Sequence, residues 1–279
     1  MCQALNSIQG MKVDTVYIDD YVNYDDSGYD CLIYNCFADE DNHRKFNKAV
    51  IDITDEKYLK FNGKKVLYDS HDDGNTDGFR RFNDHTTPRI KMTPGFECMR
   101  NYNVIISITY TVRGGFMSSG SDMKTIPLIY CVNLRGYHHD IRQRVMEKLV
   151  PFHPYINRHH RDEYPHILRS SWISVAVPGW GTACKSHVEA LAAGTLLFAH
   201  DSIKTVKLLP FGELVDGYNF VSFNLDNLEG RLRDILTDRD LTLYIIDRGK
   251  TLFNIGYSPQ RTGEHIFDYF NGKDVRCQG

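Results

Sequence analysis

Apolar and polar positions follow different patterns in the two halves of the chain. In the first half, short runs rich in Val, Ile and Tyr alternate with loops rich in Asp, Asn and Gly. Continuous apolar runs of this length are typical of strands that are covered on both faces. The runs predict strands over residues 15–22, 29–37, 48–53, 64–68, 89–92 and 104–110.

Strands alternate with segments of helical period in the second half. The pattern predicts strands over 126–132, 172–177, 196–200 and 220–223, and helices over 140–150, 185–193, 225–236, 241–253 and 263–270. Such alternation predicts a parallel sheet with right-handed crossovers, as in a Rossmann-like unit. The stretch 113–124 is small and polar, which predicts a flexible linker between the halves.

We therefore expect an α/β protein with two Rossmann-like domains that face a central cleft. The predicted domains are an N-terminal domain over 1–120 and a second domain over 121–260, followed by a helix and tail over 261–279. Ligands of such sheets bind beyond the carboxyl ends of the strands, so the loops after the strands are where chemistry is expected.

Composition and charge exclude several classes of protein. The 279 residues carry a net charge of −3 and 42% of them are apolar, which gives no reason to expect binding to nucleic acid. The apolar run over 102–112 is too short to span a bilayer, and residues 1–13 lack the apolar core of a signal peptide. The seven cysteines form no CxxC pair. We therefore expect reduced thiols in a soluble, cytoplasmic protein without a membrane span.

The stretch 173–199 carries the clearest signal for binding, because a predicted strand ends at Pro178 and a helix follows a glycine-rich turn. Glycine lets the backbone approach a ligand closely. The first turn of a helix offers free N–H groups and a positive dipole end to a diphosphate, and Lys185 and Ser186 lie in that turn. Glu189 shares a helix face with Lys185, and its carboxylate can accept hydrogen bonds from both hydroxyls of a ribose.

An ordinary strand–helix–strand crossover explains the same spacing. In this interpretation the glycines only allow the chain to turn, and Lys185 and Glu189 form an i,i+4 ion pair. Glycine-rich turns are weak motifs, so the spacing alone leaves the two interpretations open.

The order of motifs around this corner resembles that of the donor domain of exostosin-like glycosyltransferases. After the Pro-Gly-x-Gly turn come Glu189-Ala190, an Ala-Gly pair, a strand and then Leu209-Pro210-Phe211-Gly212. The loop 215–220 is similar to a late loop of two-domain glycosyltransferases. Upstream, Arg135-Gly136 followed by Arg142 resembles the glycine-containing loop and arginine-led helix that face the diphosphate. The resemblance covers about residues 126–236.

This resemblance implies a two-domain (GT-B) enzyme that transfers a sugar from a UDP-sugar to a glycan or glycoprotein acceptor, with inversion and without an essential metal. The small size is similar to that of the xylosyltransferases that large algal viruses use on capsid glycans, which implies xylose and the host cytoplasm. One position departs from the family, which has an arginine where this chain has Ser186. The residues implied in donor binding are Arg135, Gly136, Arg142, Gly179, Trp180, Gly181, Thr182, Lys185, Ser186 and Glu189.

An inverting transfer also needs a base that deprotonates the acceptor hydroxyl. The loop after the predicted strand 64–68 lies at the ligand-facing end and contains His71, Asp72 and Asp73. A histidine beside an aspartate is a common base pair, whereas a solvated acidic turn is the alternative. Lesser candidates without a histidine partner are Asp19, Asp20 and Glu97.

Two other functions stay open. A non-catalytic, glycan-binding relative that keeps the fold but has lost the donor site would explain Ser186. Acidic residues at 39–41 imitate the DxD of metal-dependent GT-A glycosyltransferases, without a matching donor pattern around them. The paired histidines at 138–139 and 159–160 are discounted as metal ligands, because adjacent side chains point in different directions and no HExxH occurs.

Overall fold

The chain divides into two compact units. The computed structural model describes residues 5, 8, 10–35, 48–69, 89–91, 104–107, 114–118, 122–134, 138–156, 162–179, 184–205 and 213–273. The first unit contains Met1–Ile108 together with Pro259–Gly279, and the second contains Thr109–Ser258. The two ends of the chain therefore belong to the same unit.

A four-stranded parallel sheet forms the centre of the first unit. A single-turn helix α1 (Ile18–Tyr21) precedes the sheet, and helix α2 (Lys48–Lys60) connects its first two strands. The strands, in sheet order, are β1 (Cys31–Asn35), β2 (Lys64–Asp69), β3 (Arg89–Lys91) and β4 (Val104–Ser107). Four of the predicted strands of the first half are thus confirmed.

The other two predicted strands of the first half are wrong. Residues 48–53 begin helix α2, because the chain continues with helical period and buries Ile51, Thr54 and Tyr58 at spacings of three and four residues. The β-branched residues of 48–53 favour a strand only locally. Within 15–22 the chain forms α1, and Tyr17 before it is 78% exposed, so this run does not pack as a sheet strand.

A second four-stranded parallel sheet forms the centre of the second unit. Among the described α-helices of this unit, the pattern of the sequence predicts all except Tyr164–Arg169, which is too short to show a period. The strands, in sheet order, are β5 (Ile126–Ile129), β6 (Ser171–Ala176), β7 (Leu196–His200) and β8 (Val221–Phe223). The helices are α3 (His139–Leu149), α4 (Tyr164–Arg169), α5 (Lys185–Ala192), α6 (Leu228–Thr237) and α7 (Arg239–Leu252).

Alternate residues of β7 face two separate hydrophobic cores. Leu197 and Ala199 belong to a core that includes residues of α4 and α5. Leu196 and Phe198 belong to a core that includes residues of α3 and α6. Because successive side chains of a strand point to opposite faces, helices cover both faces of this sheet. The unit is a three-layer α/β sandwich, which confirms the predicted Rossmann-like architecture.

The described part of the predicted linker is packed against the second unit. Phe116 is buried, and its ring meets that of Tyr164 edge-on at a centroid distance of 5.8 Å. The backbone N–H of Ser118 donates to the carbonyl of Ala192 at 3.0 Å. Nε of Arg169 donates to Asp122 at 3.0 Å. These residues are anchored by burial and hydrogen bonds, so the prediction of a flexible spacer is wrong for them.

The last helix belongs to the core of the first unit. After α7 the chain makes a π-helical turn (Phe253–Tyr257), and α8 (Pro259–Phe270) follows. Proline suits the first helical position because its missing N–H has no intrahelical partner there. Ile266 and Phe270 are buried in one hydrophobic cluster with Val66 of β2 and with Leu5. The predicted helix 263–270 is confirmed and begins earlier, at Pro259.

Candidate functional site

The carboxyl edge of the second sheet is where the described residues among the predicted donor-binding set are found. Since β5 to β8 are parallel, their carboxyl ends lie at one edge. Helices α3 and α5 begin after β5 and β6, so their unpaired N–H groups lie at that edge. Directly after β6, the chain from Val177 to Gly179 is buried.

Arg142 ties together two of the loops at this edge. Its Nε donates to the carbonyl of Pro178 at 3.0 Å, and a terminal nitrogen donates to the carbonyl of Asn133. The backbone carbonyl of Arg142 accepts a hydrogen bond from the hydroxyl of Tyr130 at 2.9 Å. The guanidinium therefore fixes the chain after β5 against the chain after β6.

Gly179 occupies a position without room for a side chain. A Cβ atom there would lie 2.4 Å from Sγ of Cys184 and 3.3 Å from a terminal nitrogen of Arg142. The glycine is required because the side chains of Cys184 and Arg142 approach its backbone closely, whether or not a ligand binds there.

His187 orders the start of α5, and sequence reasoning missed it. The backbone N–H of Cys184 donates to Nδ1 of His187 at 3.0 Å, which gives the helix a capping box with Cys184 as N-cap. The side chain of His187 is buried, and burial lowers its pKa to about 4. The spacing of the N-cap and the third helical residue is the signal in the sequence that could have found it.

Glu189 lies one turn further along α5 in a desolvated setting. Burial raises the pKa of its carboxyl group to about 7, and the charge of Lys185 acts in the opposite direction. Burial raises the pKa of Tyr164 on helix α4, and the charge of Glu189 raises it further. No described residue donates a hydrogen bond to the Glu189 carboxylate. Lys185 is exposed and Ser186 half-buried in the first turn.

A second histidine that the sequence did not single out ends β7. Nδ1 of His200 lies 3.0 Å from the hydroxyl of Ser202, and the ring meets that of Phe223 edge-on at 5.8 Å. His138, which precedes α3, has a φ of 59°, in the left-handed region that non-glycine residues rarely adopt. Burial lowers the pKa of His200, Asp201 raises it, and the charge of His138 lowers it to a smaller extent.

The loop 213–220 is held by its own side chains. Asn219 accepts a hydrogen bond from the N–H of Val215 at 2.8 Å and donates to the carbonyl of Glu213 at 2.9 Å. Asp216 accepts hydrogen bonds from both terminal nitrogens of Arg231, at 2.9 and 3.0 Å. Although burial alone would raise the pKa of Asp216, hydrogen bonds from Arg231, Ser222 and Lys204 hold it well below its usual range. Asn219 and Asp216 therefore stabilise the conformation of this loop.

Several of the predicted site residues lie outside the described residues. Asp19 and Asp20 are described, and both are exposed on α1. The predicted donor-binding residues outside the described ranges are Arg135, Gly136, Trp180, Gly181 and Thr182. The base candidates outside them are His71, Asp72, Asp73 and Glu97.

Metal-ligating side chains do not cluster within the described ranges. No group of three His, Cys, Asp or Glu residues that could hold a metal ion occurs there. His139 and Asp140 approach to 3.5 Å, but both are largely exposed. In the same ranges, no helix is long and apolar enough to cross a membrane.

Solved structures match this chain in fold, whereas no family model and no curated protein matches its sequence. A glycosyltransferase from Rickettsia africae ESF-5 aligns with a TM-score of 0.57 and 11% identity, over 94% of this chain and 84% of that one. An alpha-glucosyltransferase in complex with UDP-glucose and DNA containing an abasic site has the same TM-score and identity, over 87% and 80%. Anabaena Alr3699/HepE in complex with UDP has a TM-score of 0.56 and 9% identity, over 81% and 77%.

These similarities extend over both units of the chain. At about a tenth of identical residues they establish architecture and leave activity to be argued from the site. The neighbours are glycosyltransferases of the GT-B type, which fits the two parallel sheets better than the GT-A alternative. The chain therefore has the GT-B fold, with two Rossmann-like domains.

Proposed function

We propose that this protein is a glycosyltransferase that transfers a sugar from a UDP-sugar to a hydroxyl of a glycan or glycoprotein acceptor. The observation that carries the proposal is the half-buried carboxylate of Glu189, one turn into α5 of a GT-B domain and without a hydrogen-bond donor among the described residues. A ribose would supply two such donors. Proteins of this fold in complex with UDP and UDP-glucose support the choice of nucleotide.

The remaining donor contacts follow from the two helices that begin at the same edge. The N-termini of α3 and α5 offer free N–H groups to the diphosphate, and Lys185 adds a charge in the first turn of α5. Arg142 already donates to two carbonyl groups, so we assign it the shaping of the loops around the diphosphate. The loops that contain Arg135, Gly136 and residues 179–182 complete this proposed site.

The proposed reaction is a direct displacement at the anomeric carbon. The acceptor oxygen forms the new bond as the bond from the anomeric carbon to the diphosphate oxygen breaks, and the electron pair of that bond leaves with UDP. A base takes the proton of the acceptor hydroxyl, and His71, Asp72 and Asp73 are the candidates. Resemblance to exostosin-like enzymes supports inversion, independence of metal and xylose as the sugar.

Titration calorimetry with UDP tests the donor site. Glu189→Ala is expected to weaken UDP binding at least about tenfold, because it removes a charged acceptor of hydrogen bonds. Glu147→Ala is the matched control, since Glu147 is an exposed glutamate of α3 in the same unit, and it should bind UDP like the wild type. Wild-type protein that binds no UDP, or unchanged affinity in Glu189→Ala, would refute the proposal.

A non-catalytic relative is the second candidate, and Ser186 favours it, since exostosin-like enzymes have an arginine there. A panel of UDP-sugars that includes UDP-xylose and UDP-glucose distinguishes the two, because a transferase releases UDP from at least one of them when glycan acceptors are present. Binding of UDP without turnover of any sugar would favour the second candidate. Activity that survives excess chelator would support independence of metal.

A further inference from the structure

The imidazole of His200 lies at the ligand edge of the second unit, and neither the sequence motifs nor the proposed donor contacts assign it a role. It is the last residue of β7 and follows the alternation of Leu196 and Phe198, so it shares their face of the sheet. Helices α3 and α6 cover that face. His200 therefore lies at the carboxyl edge of the sheet, on the side where α3 begins.

Hydrogen bonds assign the position of the proton on this ring. The backbone N–H of Ser202 points to Nδ1 at 3.3 Å, and an N–H group can only donate. Nδ1 is therefore the acceptor, and the hydroxyl of Ser202 at 3.0 Å can donate to it as well. A carboxylate oxygen of Asp201 lies further away, at 3.5 Å. The neutral ring then carries its proton on Nε2.

The Nε2–H group of His200 can donate a hydrogen bond to a ligand. No described residue accepts a hydrogen bond from it, although the side chain is only 15% exposed. Burial lowers the pKa of His200, which favours the neutral form of the ring, and Asp201 acts in the opposite direction. Nε2 of His200 is not among the fully buried polar atoms that lack a hydrogen-bond partner in the described residues, so solvent reaches it and a ligand oxygen can replace the water there.

The neighbourhood of His200 favours an anionic acceptor. Helix α3 packs on the face of β7 that includes His200, because residues of α3 share a core with Leu196 and Phe198. His138 stands directly before the first turn of α3, and its charge contributes to lowering the pKa of His200. That turn presents unpaired N–H groups and the positive end of the helix dipole. The left-handed backbone of His138 is a strained conformation of the kind that gathers at ligand sites.

We propose that the Nε2–H group of His200 donates a hydrogen bond to an oxygen of the donor diphosphate at the N-terminus of α3. This inference rests on the proposed function, and it names a contact of the same site. As the bond to the anomeric carbon breaks, negative charge grows on the diphosphate and strengthens this hydrogen bond. The proton stays on Nε2 throughout, so His200 stabilises the leaving group without acting as an acid.

Two substitutions of His200 distinguish the role of Nδ1 from that of Nε2. His200→Asn keeps an acceptor near the position of Nδ1 but removes the donor at Nε2, whereas His200→Gln places an amide N–H close to the position of Nε2. We expect UDP affinity to fall roughly tenfold to a hundredfold in His200→Asn, as for loss of a hydrogen bond to a charged group. In His200→Gln it should stay within about threefold of the wild type, because the donor is retained.

Uridine is the control ligand, because it carries the base and ribose but no phosphate. Its affinity should be the same in the wild type and both variants. Equal loss of uridine and UDP binding would place His200 against the nucleoside and overturn the inference, as would unchanged UDP affinity in His200→Asn. Wild-type protein that binds neither ligand would refute the proposed function itself, together with this inference.

A measurement on the wild type covers the case in which the variants do not fold. In protein labelled with nitrogen-15 at histidine, the Nε2 resonance of His200 should be that of a protonated neutral ring. It should shift on addition of UDP and remain in place on addition of uridine. A deprotonated Nε2, or an equal shift with both ligands, would contradict the proposed contact.

Discussion

The carboxyl group of Glu189 titrates near neutrality because burial disfavours its charged form more than Lys185 favours it. In the proposed site the ribose hydroxyls donate to the carboxylate, so binding of UDP would be accompanied by loss of this proton below a pH of about 7. The proposal therefore couples the affinity for UDP to the protonation of Glu189.

The first prediction is that UDP affinity rises with pH through the pKa of Glu189. Because that pKa is about 7, the carboxyl group is mostly protonated at pH 6, and affinity should be roughly tenfold weaker there than at pH 8. Calorimetry at both values measures it. In Glu189→Gln the part of this slope that comes from residue 189 should vanish, whereas Glu147→Gln should keep it. The same slope in Glu189→Gln as in the wild type would place the titrating group elsewhere.

The second prediction concerns stability and rests on the buried imidazole of His187. Its pKa is about 4 in the folded chain against an ordinary value of 6.5, so the unfolded chain takes up the proton first as the pH falls. The free energy of unfolding should therefore decrease between pH 6.5 and 4, by up to about 3 kcal/mol from this residue. Urea denaturation of the wild type and of His187→Gln measures it as the difference between their pH profiles. Parallel profiles would show that His187 is not buried as a neutral ring.

Packing of whole elements depends on one glycine of α7. A Cβ at Gly249 would lie 2.9 Å from the carbonyl oxygen of Asn219 and 3.0 Å from a methyl group of Leu191. The absence of a side chain lets α7 approach both α5 and the loop 213–220. Since Asn219 and Asp216 hold that loop in a fixed conformation, it cannot yield easily.

The third prediction follows from this contact. Gly249→Ala should lower the free energy of unfolding by about 1–3 kcal/mol, because the added methyl overpacks the interface. Gly230→Ala is the matched control in α6, where a Cβ would meet no atom within 4 Å. It should raise stability by about 0.5–1 kcal/mol, because alanine has the better helix propensity. Urea denaturation measures both, and equal effects of the two substitutions would contradict the packing argument.

The sequence predicts elements well where local and long-range signals agree. The run from β6 through α5 to β7 combines a buried apolar strand, a glycine-rich turn and a helix closed at Gly194, and its predicted bounds agree with the structure within two residues. In 48–53 the signals conflict, because β-branched residues favour a strand while burial of Ile51, Thr54 and Tyr58 requires a helix. Only the packing decides between them.

Some residues of the candidate site could be predicted from the sequence, whereas others could not. Arg142, Gly179 and Glu189 belong to sequence motifs and lie at the predicted edge of the sheet. His187 carries only the spacing of a capping box and His200 belongs to no motif, so the settings of both depend on the burial and neighbours that the fold creates. Residues of this kind can be recognised as candidates only from the three-dimensional structure.

At the scale of the whole molecule, the first unit is built from two separate parts of the chain. The chain passes from one unit to the other between residues 108 and 109 and again between 258 and 259. A local pattern shows that 263–270 is a helix, but only the burial of Ile266 and Phe270 against Val66 and Leu5 shows which core it completes. The stability of the first unit should therefore depend on the end of the chain.

The fourth prediction is that a chain ending at Ser258 loses order in the first unit alone. Burial of Ile266 and Phe270 contributes about 1.5–3 kcal/mol each, a large part of the stability of a small unit. Hydrogen exchange should accelerate at the amides of β1 and β2 and stay slow at those of β6 and β7. Ile266→Ala with Phe270→Ala should have the same effect in the full chain, whereas Gln260→Ala on the exposed side of α8 should have none. Equal acceleration in both sheets would show instead that the two units unfold as one, because a unit with its own core would keep its protection.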